Sequence, residues 1–293
     1  MRVSTIGLTN RLLTGLQRAS ASVEEASVRT QSGLKISRPS DDPNGAASLM
    51  NASSSLRALD QYQRNISSAS ARLNMEEEVL GRLTDTLDRA KQLGLQEGSA
   101  TASAQTRLVA KAEIDQLLAF AVQLANSRHE GEFLFGGDQP LGIPIPSTTS
   151  PFTPTTITGQ RFVEIGEAQR VPVVHNAKEL VLDSNVLGAL EALSIALGAN
   201  DAQGIATALG SIDGAHANVQ ALLGDVGARS SQFDVARSNL QALDSTLQAF
   251  KSDLQDLDLE EAVTHLVSKQ NAYQAALLTT SRVMSVTLAD YLR

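Results

Sequence analysis

The chain has 293 residues, a net charge of −8 and an isoelectric point near 5.1. This length suffices for several modules and a sizeable core. Lys and Arg form no basic run, which argues against a nucleic-acid-binding surface because phosphate contacts need grouped positive charge. Aromatic residues make up only 3% of the chain and Trp is absent. Long helices packed side by side are therefore favoured over a strand-rich fold.

Motifs for catalysis or ligand binding are absent from the sequence. Cys is missing, which excludes disulfides and the commonest zinc sites. The His residues are scattered, and no zinc-protease, phosphate-loop or nucleophile-elbow pattern occurs. We therefore expect no catalytic, cofactor-binding or metal-binding residues, and we expect that the protein is not an enzyme. The first residues lack a secretory signal pattern, and no run reaches the roughly 20 apolar residues of a membrane span.

The first predicted helix covers about residues 5–32 and repeats its apolar residues at steps of three and four. Leu12, Leu16 and Val23 belong to this stripe. The helix is expected to end at Ser32 and Gly33, because Gly accepts the positive φ that follows many helices.

A short spacer with two prolines separates the first and second helices. Pro43 suits a first helical position, and Asp42 before it can cap the helix start. Asp41 and Asp42 are also readable as a carboxylate pair for a cation or for acid–base chemistry. Capping and turn formation beside Pro39 and Pro43 explain them more simply.

The second helix is predicted from 43 to about 94 and the third to end near Gly131. At ~1.5 Å per residue the second helix is on the order of 75 Å long, which indicates a rod. The acidic run Glu76-Glu77-Glu78 is interpreted as a solvated helix face.

Residues 132–184 differ in character from the rest of the chain. They hold six of the eight prolines, a Ser/Thr/Pro tract and short pieces of β-favouring residues. We predict a small β-rich outer insert here, in which Gly136, Gly137 and Asp138 form a turn.

The C-terminal part is predicted to be helical again from residue 185. It contains a heptad seam that needs a partner helix, since its apolar stripe is narrow. An acidic interruption at 256–261, with capping-box spacing between Asp258 and Glu261, indicates a new helix start. The residues predicted for the seam and for the last helix are Phe233, Leu240, Leu247, Phe250, Leu254, Leu266, Tyr273, Leu277 and Met284.

Together these elements predict a mainly α-helical chain: a long antiparallel bundle or coiled-coil rod with a β-rich insert. We divide it into an N-terminal assembly helix at 1–35, a helical rod at 36–131, the insert at 132–184, the returning rod at 185–257 and a C-terminal assembly helix at 258–293. Both terminal helices have many polar positions in their stripes, so neither is expected to fold stably alone.

Several motifs resemble those of the bacterial flagellin family. Residues 32–43 are similar to the spacer after the first helix of that family, and the two prolines resemble its hook-associated protein 3 branch. Residues 131–137, Gly-Glu-Phe-Leu-Phe-Gly-Gly, are similar to the motif that ends the third helix in this branch. The motif positions are Ser32, Gly33, Pro39, Asp41, Asp42, Pro43, Gly131, Phe133, Phe135 and Gly137.

This resemblance implies a structural subunit of the flagellum at the junction of hook and filament. The implied partners are further copies of the chain in a ring, the hook-side junction protein (hook-associated protein 1), flagellin and a cytoplasmic export chaperone. The implied location is extracellular, after type III export without a cleaved signal peptide. One alternative is filament flagellin, because the final Arg293 is similar to the Leu-Arg ending of many flagellins. Another is a surface-binding or enzymatic relative with a site in 132–184.

Overall fold

The computed structural model describes residues 2–99, 102–146, 152 and 159–291. Helical residues make up 76% of the structure, which confirms the predicted mainly helical fold. The α-helices of the described residues are α1 (Arg2–Ser32), α2 (Pro43–Glu97), α3 (Ala104–Ala125), α4 (Val186–Gly198), α5 (Ala202–Gln255) and α6 (Leu259–Tyr291), with a π-helical segment at Glu179–Asp183.

The strands of the described residues form small antiparallel pairs. β1 (Arg128–His129) pairs with β2 (Glu132–Phe133), and β3 (Phe162–Gly166) pairs with β4 (Gln169–Pro172). The register joins Arg128 to Phe133 in the first pair and Val163 to Val171 in the second.

The chain divides into two compact units. The terminal unit consists of Met1–Ala58 and Leu243–Arg293, and the central unit consists of Leu59–Ala242. The segment 132–184 therefore clusters with the helices on either side of it in the sequence. The finer division at residues 36, 132, 185 and 258 stays a prediction.

The helix starts use the side-chain caps that the sequence predicts. Asp42 Oδ1 accepts a hydrogen bond from the Asn44 backbone N–H at 3.1 Å, at the beginning of α2. Asp258 does the same for the N–H groups of Glu260 and Glu261 at the start of α6. These acids satisfy donors that a helix leaves free in its first turn.

The core of the central unit is formed by leucine, isoleucine and phenylalanine side chains of α2, α3, α5 and the connecting segments. It also includes α4, which packs against α3. Fully buried residues are Ile66, Leu73, Leu80, Leu87, Ile114, Leu134, Phe135, Ile145, Leu180, Leu190 and Phe233.

The predicted end of the third helix is wrong by six residues. α3 ends at Ala125, and the chain then turns back through the β1–β2 pair. Glu130 and Gly131 form the turn with φ values of 53° and 86°. Positive φ values stop a helix, so Gly131, which the sequence predicts near the helix end, instead lies at the tip of a hairpin.

The interpretation of Glu76 as a solvated residue is also wrong. Its side chain has 0% exposure, whereas those of its neighbours Glu77 and Glu78 are exposed. Since successive residues of a helix point about 100° apart, one acid of a consecutive run can face the core while the next two face solvent.

Candidate assembly surface

The first and last helices pack against each other within the terminal unit. The predicted α1 residues Leu12, Leu16 and Val23 are half-buried, as are Leu266 and Tyr273 of α6. Ala262 and Thr280 of α6 are the more completely covered positions, at 7% and 6% exposure. The pairing therefore buries small side chains and leaves the larger ones partly open. The side chain of Met284 lies outside the described residues.

The spacer after α1 joins this helix to the end of α5. Gly33 takes a φ of 69° and turns the chain out of α1. The Lys35 N–H then donates to the Gln255 carbonyl at 2.7 Å, and the Leu257 N–H donates to the Gly33 carbonyl at 2.9 Å. This short bridge holds the spacer beside the break between α5 and α6.

The paired acids of the spacer have structural roles. Asp41 Oδ2 accepts hydrogen bonds from the N–H groups of Ser37 and Arg38 at 3.1 and 2.9 Å. The bond from Arg38 lowers the pKa of Asp41. Asp42 caps α2, and Pro43 is its first residue. Both carboxylates thus bind backbone donors, as the capping interpretation predicts. Pro39 is exposed in the turn that leads to Asp41.

A small apolar cluster fixes the spacer to the start of α2. Ile36, Ala46 and Leu49 are buried together, and Leu254 of α5 packs against them. Leu254 is thus a predicted seam residue that contacts the same chain.

Several large apolar side chains of α6 have little cover in a single chain. They recur at helical spacing along one side of α6, which we name the outer row: Leu259 (58% exposed), Val263 (48%), Val267 (48%), Leu277 (40%) and Leu278 (62%). Residues i, i+4 and i+8 of a helix share a face, so Leu259, Val263 and Val267 form a continuous apolar stripe. Repeated apolar exposure of this kind marks a contact surface more often than an isolated exposed leucine does.

The predicted seam of α5 divides into a buried and an exposed part. Phe233 and Leu240 in the central unit are 0% and 8% exposed. In the terminal unit Leu247 is half-buried, and Phe250 is 46% exposed. The same apolar period therefore serves as core in one unit and stays open in the other.

α5 also carries glycines at positions where a larger side chain would cause no steric clash within one chain. A Cβ atom at Gly210, Gly214 or Gly224 would meet nothing within 4 Å. Glycine within a helix costs about 1 kcal/mol relative to alanine. Exposed Ala217, Ala221 and Ala228 continue the same three-four spacing. The face is thus smooth enough for close approach of another helix.

The second family motif packs inside the central unit. Phe133 and Phe135 are 5% and 0% exposed. The Arg128 guanidinium lies 4.2 Å from the centre of the Phe133 ring, a cation–π contact. Gly131 and Gly137 both have positive φ, at 86° and 54°. The motif therefore builds a hairpin and a turn whose aromatic residues anchor them in the core.

Charged residues near this motif form ion pairs instead of an open site. Glu132 binds both Arg72 and Arg161, and Arg161 with Arg72 lowers the pKa of Glu132. Arg72 also donates to the Phe133 carbonyl at 3.1 Å. Among the described residues no group of His, Asp and Glu is arranged to hold a metal ion. No described helix has the length and apolar character needed to cross a membrane.

The sequence pattern located the terminal helices but not the outer row. Of the residues predicted for the last helix, Leu266 and Tyr273 lie on the covered side with Ala262, Ala276 and Thr280, whereas Leu277 belongs to the outer row. Apolar residues occur on two sides of α6, and a single stripe in the sequence does not show which side α1 covers. The sequence did contain a signal for two apolar sides, because large apolar residues occur next to each other, as in Leu266 with Val267 and Leu277 with Leu278.

Terminal helices that pair through small residues, with an apolar row left open, are typical of a subunit that completes its packing in an assembly. The sequence-family model for the bacterial flagellin N-terminal helical region matches residues 3–139, and the family model for the bacterial flagellin C-terminal helical region matches residues 209–292. Together these matches cover more than half of the 293 residues. The chain belongs to the bacterial flagellin family.

The relatives include a filament core protein and a hook-associated protein. The flagellar filament 31.3 kDa core protein of Treponema maltophilum is 25% identical over 268 residues, with 88% of this chain and 90% of the relative covered. Flagellar hook-associated protein 3 of Salmonella typhimurium is 21% identical over 317 aligned positions, with 98% of both chains covered.

Solved structures share the fold. A putative flagellar hook-associated protein from Vibrio parahaemolyticus has a TM-score of 0.68 at 21% identity and covers 74% of this chain and 100% of its own. FlgL of Bacillus cereus has a TM-score of 0.60 at 22% identity and covers 69% of this chain and 99% of its own.

Proposed function

We propose that the chain is a structural subunit of the bacterial flagellum and forms the junction between hook and filament. It would assemble as a ring of copies between the hook-side junction protein and flagellin. The observation that carries this proposal is the alignment with a hook-associated protein 3 over 98% of both chains. The spacer and hairpin motifs, residues 32–43 and 131–137, support the same branch of the family.

The exposed apolar residues supply a physical reason for assembly. Burying apolar surface contributes about 25 cal/mol per Å² removed from water. The outer row of α6 and Phe250 of α5 present such surface at helical spacing. We propose that copies of the chain cover it, so that the predicted terminal assembly helices at 1–35 and 258–293 reach their full packing in the flagellum.

The open glycine face of α5 supports contacts between copies in the central unit. Gly210, Gly214 and Gly224 lower helix propensity without relieving a clash in one chain. A neighbouring helix that approaches this face closely would offset that cost through van der Waals contacts.

Localisation on isolated flagella tests the proposal. A small epitope inserted in the β3–β4 turn, between the exposed residues Glu167 and Ala168, leaves both terminal helices unchanged. We expect gold label at one point, where the hook ends, in cells that make the tagged chain, and none in cells with the untagged chain. Label along the whole filament would refute the junction and support filament flagellin.

Filament flagellin is the second candidate function, because Treponema filament proteins are 25% identical to the chain. Deletion separates the two. Loss of a junction subunit should leave hooks without filaments while flagellin is secreted into the medium. Loss of the main filament flagellin should leave no secreted flagellin.

The proposed role requires no catalytic step. In the described part of 132–184, Glu132, Glu164 and Asp183 are paired with Arg or Lys, and His175 is buried against Glu76.

We further propose type III export to the extracellular flagellum, with an export chaperone on the terminal helices before assembly. Limited proteolysis tests whether the terminal helices become protected on assembly. Both ends should be cut in the purified monomer and protected in flagella.

A further inference from the structure

His175 is buried between two helices of the central unit. Its side chain is 5% exposed, and its Nδ1 atom lies 2.6 Å from Oε1 of Glu76, which is fully buried on α2. The backbone N–H of His175 donates to the same carboxylate oxygen at 3.1 Å. One acid of α2 therefore holds both the ring and the backbone of the chain segment that precedes the π-helical turn.

The other ring nitrogen of His175 faces α5. Nε2 lies 3.0 Å from Oδ2 of Asp225 and 3.3 Å from Nη2 of Arg229. Arg229 and Asp225 are themselves an ion pair at 2.5 Å. Glu179, on the π-helical segment, adds a further negative charge near the ring.

Protonation of His175 offsets part of the negative charge of this cluster. Glu76, Asp225 and Glu179 are three acids around the ring, and a protonated His175 with Arg229 supplies two positive charges. Loss of the proton increases the net negative charge around the buried Glu76 carboxylate, which is costly in a medium of low polarity. Glu76 Oε2 and Arg229 Nη1 are buried without a hydrogen-bond partner among the described residues. The Glu76 side of the cluster therefore has little further polar contact to offset that charge, whereas the Asp225 side chain is 47% exposed.

Two states of the ring follow from the geometry. In the protonated state, both N–H groups donate, one to Glu76 and the other to Asp225. In the neutral state with the proton on Nδ1, the lone pair of Nε2 faces the Asp225 carboxylate, and Arg229 is the remaining donor. The contact between Nε2 and Asp225 is therefore the one that weakens when the proton leaves.

We propose that His175 is a proton-dependent clamp that fastens residues 173–184 to α2 and α5. These residues contribute buried side chains to the core, including Val173, Val174, Leu180 and Val181. Release of the clamp loosens this segment locally. The inference concerns folding of the central unit and does not rest on the proposed place of the chain in the flagellum.

The direction of the pH effect follows from the surroundings of the ring. Burial acts to lower the pKa of His175, but the hydrogen bond and negative charge of Glu76 outweigh it, so the pKa is raised. A group with a raised native pKa stabilises the fold fully below its unfolded pKa, about 6.5 for histidine. That contribution is lost as the pH rises from about 6.5 through the native pKa, and the unfolding constant can rise by up to about tenfold per pH unit in this window.

Titration of the full-length chain tests the clamp directly. Two-dimensional NMR of ¹⁵N-labelled His side chains should give a titration midpoint for His175 above about 6.5, the ordinary value of a histidine side chain. Asp225→Asn, which removes the negative charge beside Nε2 but keeps an acceptor oxygen, should lower the His175 midpoint. A wild-type midpoint at or below about 6.5 would overturn the proposal.

Stability and hydrogen exchange test the consequence for the fold. Urea unfolding between pH 5.5 and 8.5 should show a fall in stability in the wild type that His175→Gln largely removes and that His265→Gln retains. At pH values above the measured native pKa, backbone amides of 173–184 should exchange faster relative to those of α4. An unchanged pH slope in His175→Gln would overturn the clamp. If that variant does not fold, the Asp225→Asn midpoint and the exchange of the wild type decide.

Discussion

The same helix, α5, is core in the central unit and leaves apolar residues exposed in the terminal unit. α5 contributes Phe233 to the central unit with 0% exposure and Phe250 to the terminal unit with 46% exposure. Both residues are rungs of one three-four pattern. The difference teaches that the period selects a helix face, whereas the number of helices packed around that face decides whether it becomes core or contact surface.

Polar contacts differ in the same way. In the central unit, Arg107 is buried and binds the Glu97 carbonyl at 2.9 Å and Asn200 Oδ1 at 2.6 Å. In the terminal unit, the pairs of Arg29 with Glu25 and of His265 with Glu261 lie on exposed helix surfaces. Buried polar contacts specify one arrangement, whereas exposed pairs contribute little and exchange easily. The predictions below test this contrast in order of decreasing effect on the folding of a single chain.

The largest effect is expected for Phe233→Ala. Truncating a fully buried phenylalanine removes its contacts and leaves a cavity, which destabilises by about 3–5 kcal/mol. Urea unfolding of the purified chain measures the loss.

Phe250→Ala is the matched control, since it lies on the same helix in a predicted rung of the same seam. It should cost less than about 1 kcal/mol in the single chain because much of the side chain already contacts water. It should nevertheless reduce incorporation into flagella. Equal destabilisation by the two variants would contradict the contrast between the units.

The next effect is expected for Glu132→Gln. Glu132 neutralises Arg72, whose side chain is 9% exposed, and removing a charged hydrogen-bond partner from a buried group costs about 1–3 kcal/mol. Because the pKa of Glu132 is lowered, its contribution is present above its ordinary pKa and is lost as the pH falls through the native value. The unfolding curves of wild type and variant should therefore differ at pH 7 and approach each other as the pH falls below about 4. Glu167→Gln, at an exposed turn position, is the control.

A smaller effect is expected for Gly131→Ala at the tip of the β1–β2 hairpin. The site has open space but a φ of 86°, and a side chain there costs about 1 kcal/mol. Gly214→Ala, on the open face of α5, should stabilise the single chain by about 0.5–1 kcal/mol through helix propensity. Thermal melting measures both. A destabilising Gly214→Ala would show that this face is already in contact within one chain.

The smallest effect on folding is expected for Leu277→Asp in the outer row. The side chain is 40% exposed, so the free energy of unfolding of the single chain should change by less than about 0.5 kcal/mol. Its helical content and melting should therefore stay nearly the same. Incorporation should fail, because the charge would have to be buried between copies. The predicted seam residue Leu247 is half-buried, and Leu247→Asp should lower both stability and assembly.

Circular dichroism and a secretion assay check this pair of changes. Asn271→Asp adds the same charge at an exposed polar position of α6 and should support assembly. If Leu277→Asp melted the chain as severely as Phe233→Ala, the terminal helix would be core in the single chain, and the distinction between the two units would fail.

Local signals in the sequence were sufficient for most helices. Proline at 43, aspartates at 42 and 258, and the glycine at 33 act on neighbouring backbone groups, so they predict helix boundaries without knowledge of the rest of the chain. The end of α3 was missed because Gly131 suits either a helix end or a hairpin tip. The choice depends on the pairing of Arg128–His129 with Glu132–Phe133, and on the burial of Phe133 and Phe135.

The sequence by itself determined the mainly helical class, the helical terminal regions and the family, because periodicity, capping and short motifs are local properties. Only the tertiary structure decided which apolar rungs are covered, and that Glu76 is withdrawn from solvent to meet His175, 99 residues away in sequence. Burial and charge pairing depend on what lies opposite a side chain in space. The helical period allows either side of α6 to face α1, and packing selects the side with Ala262 and Thr280 while leaving the outer row open.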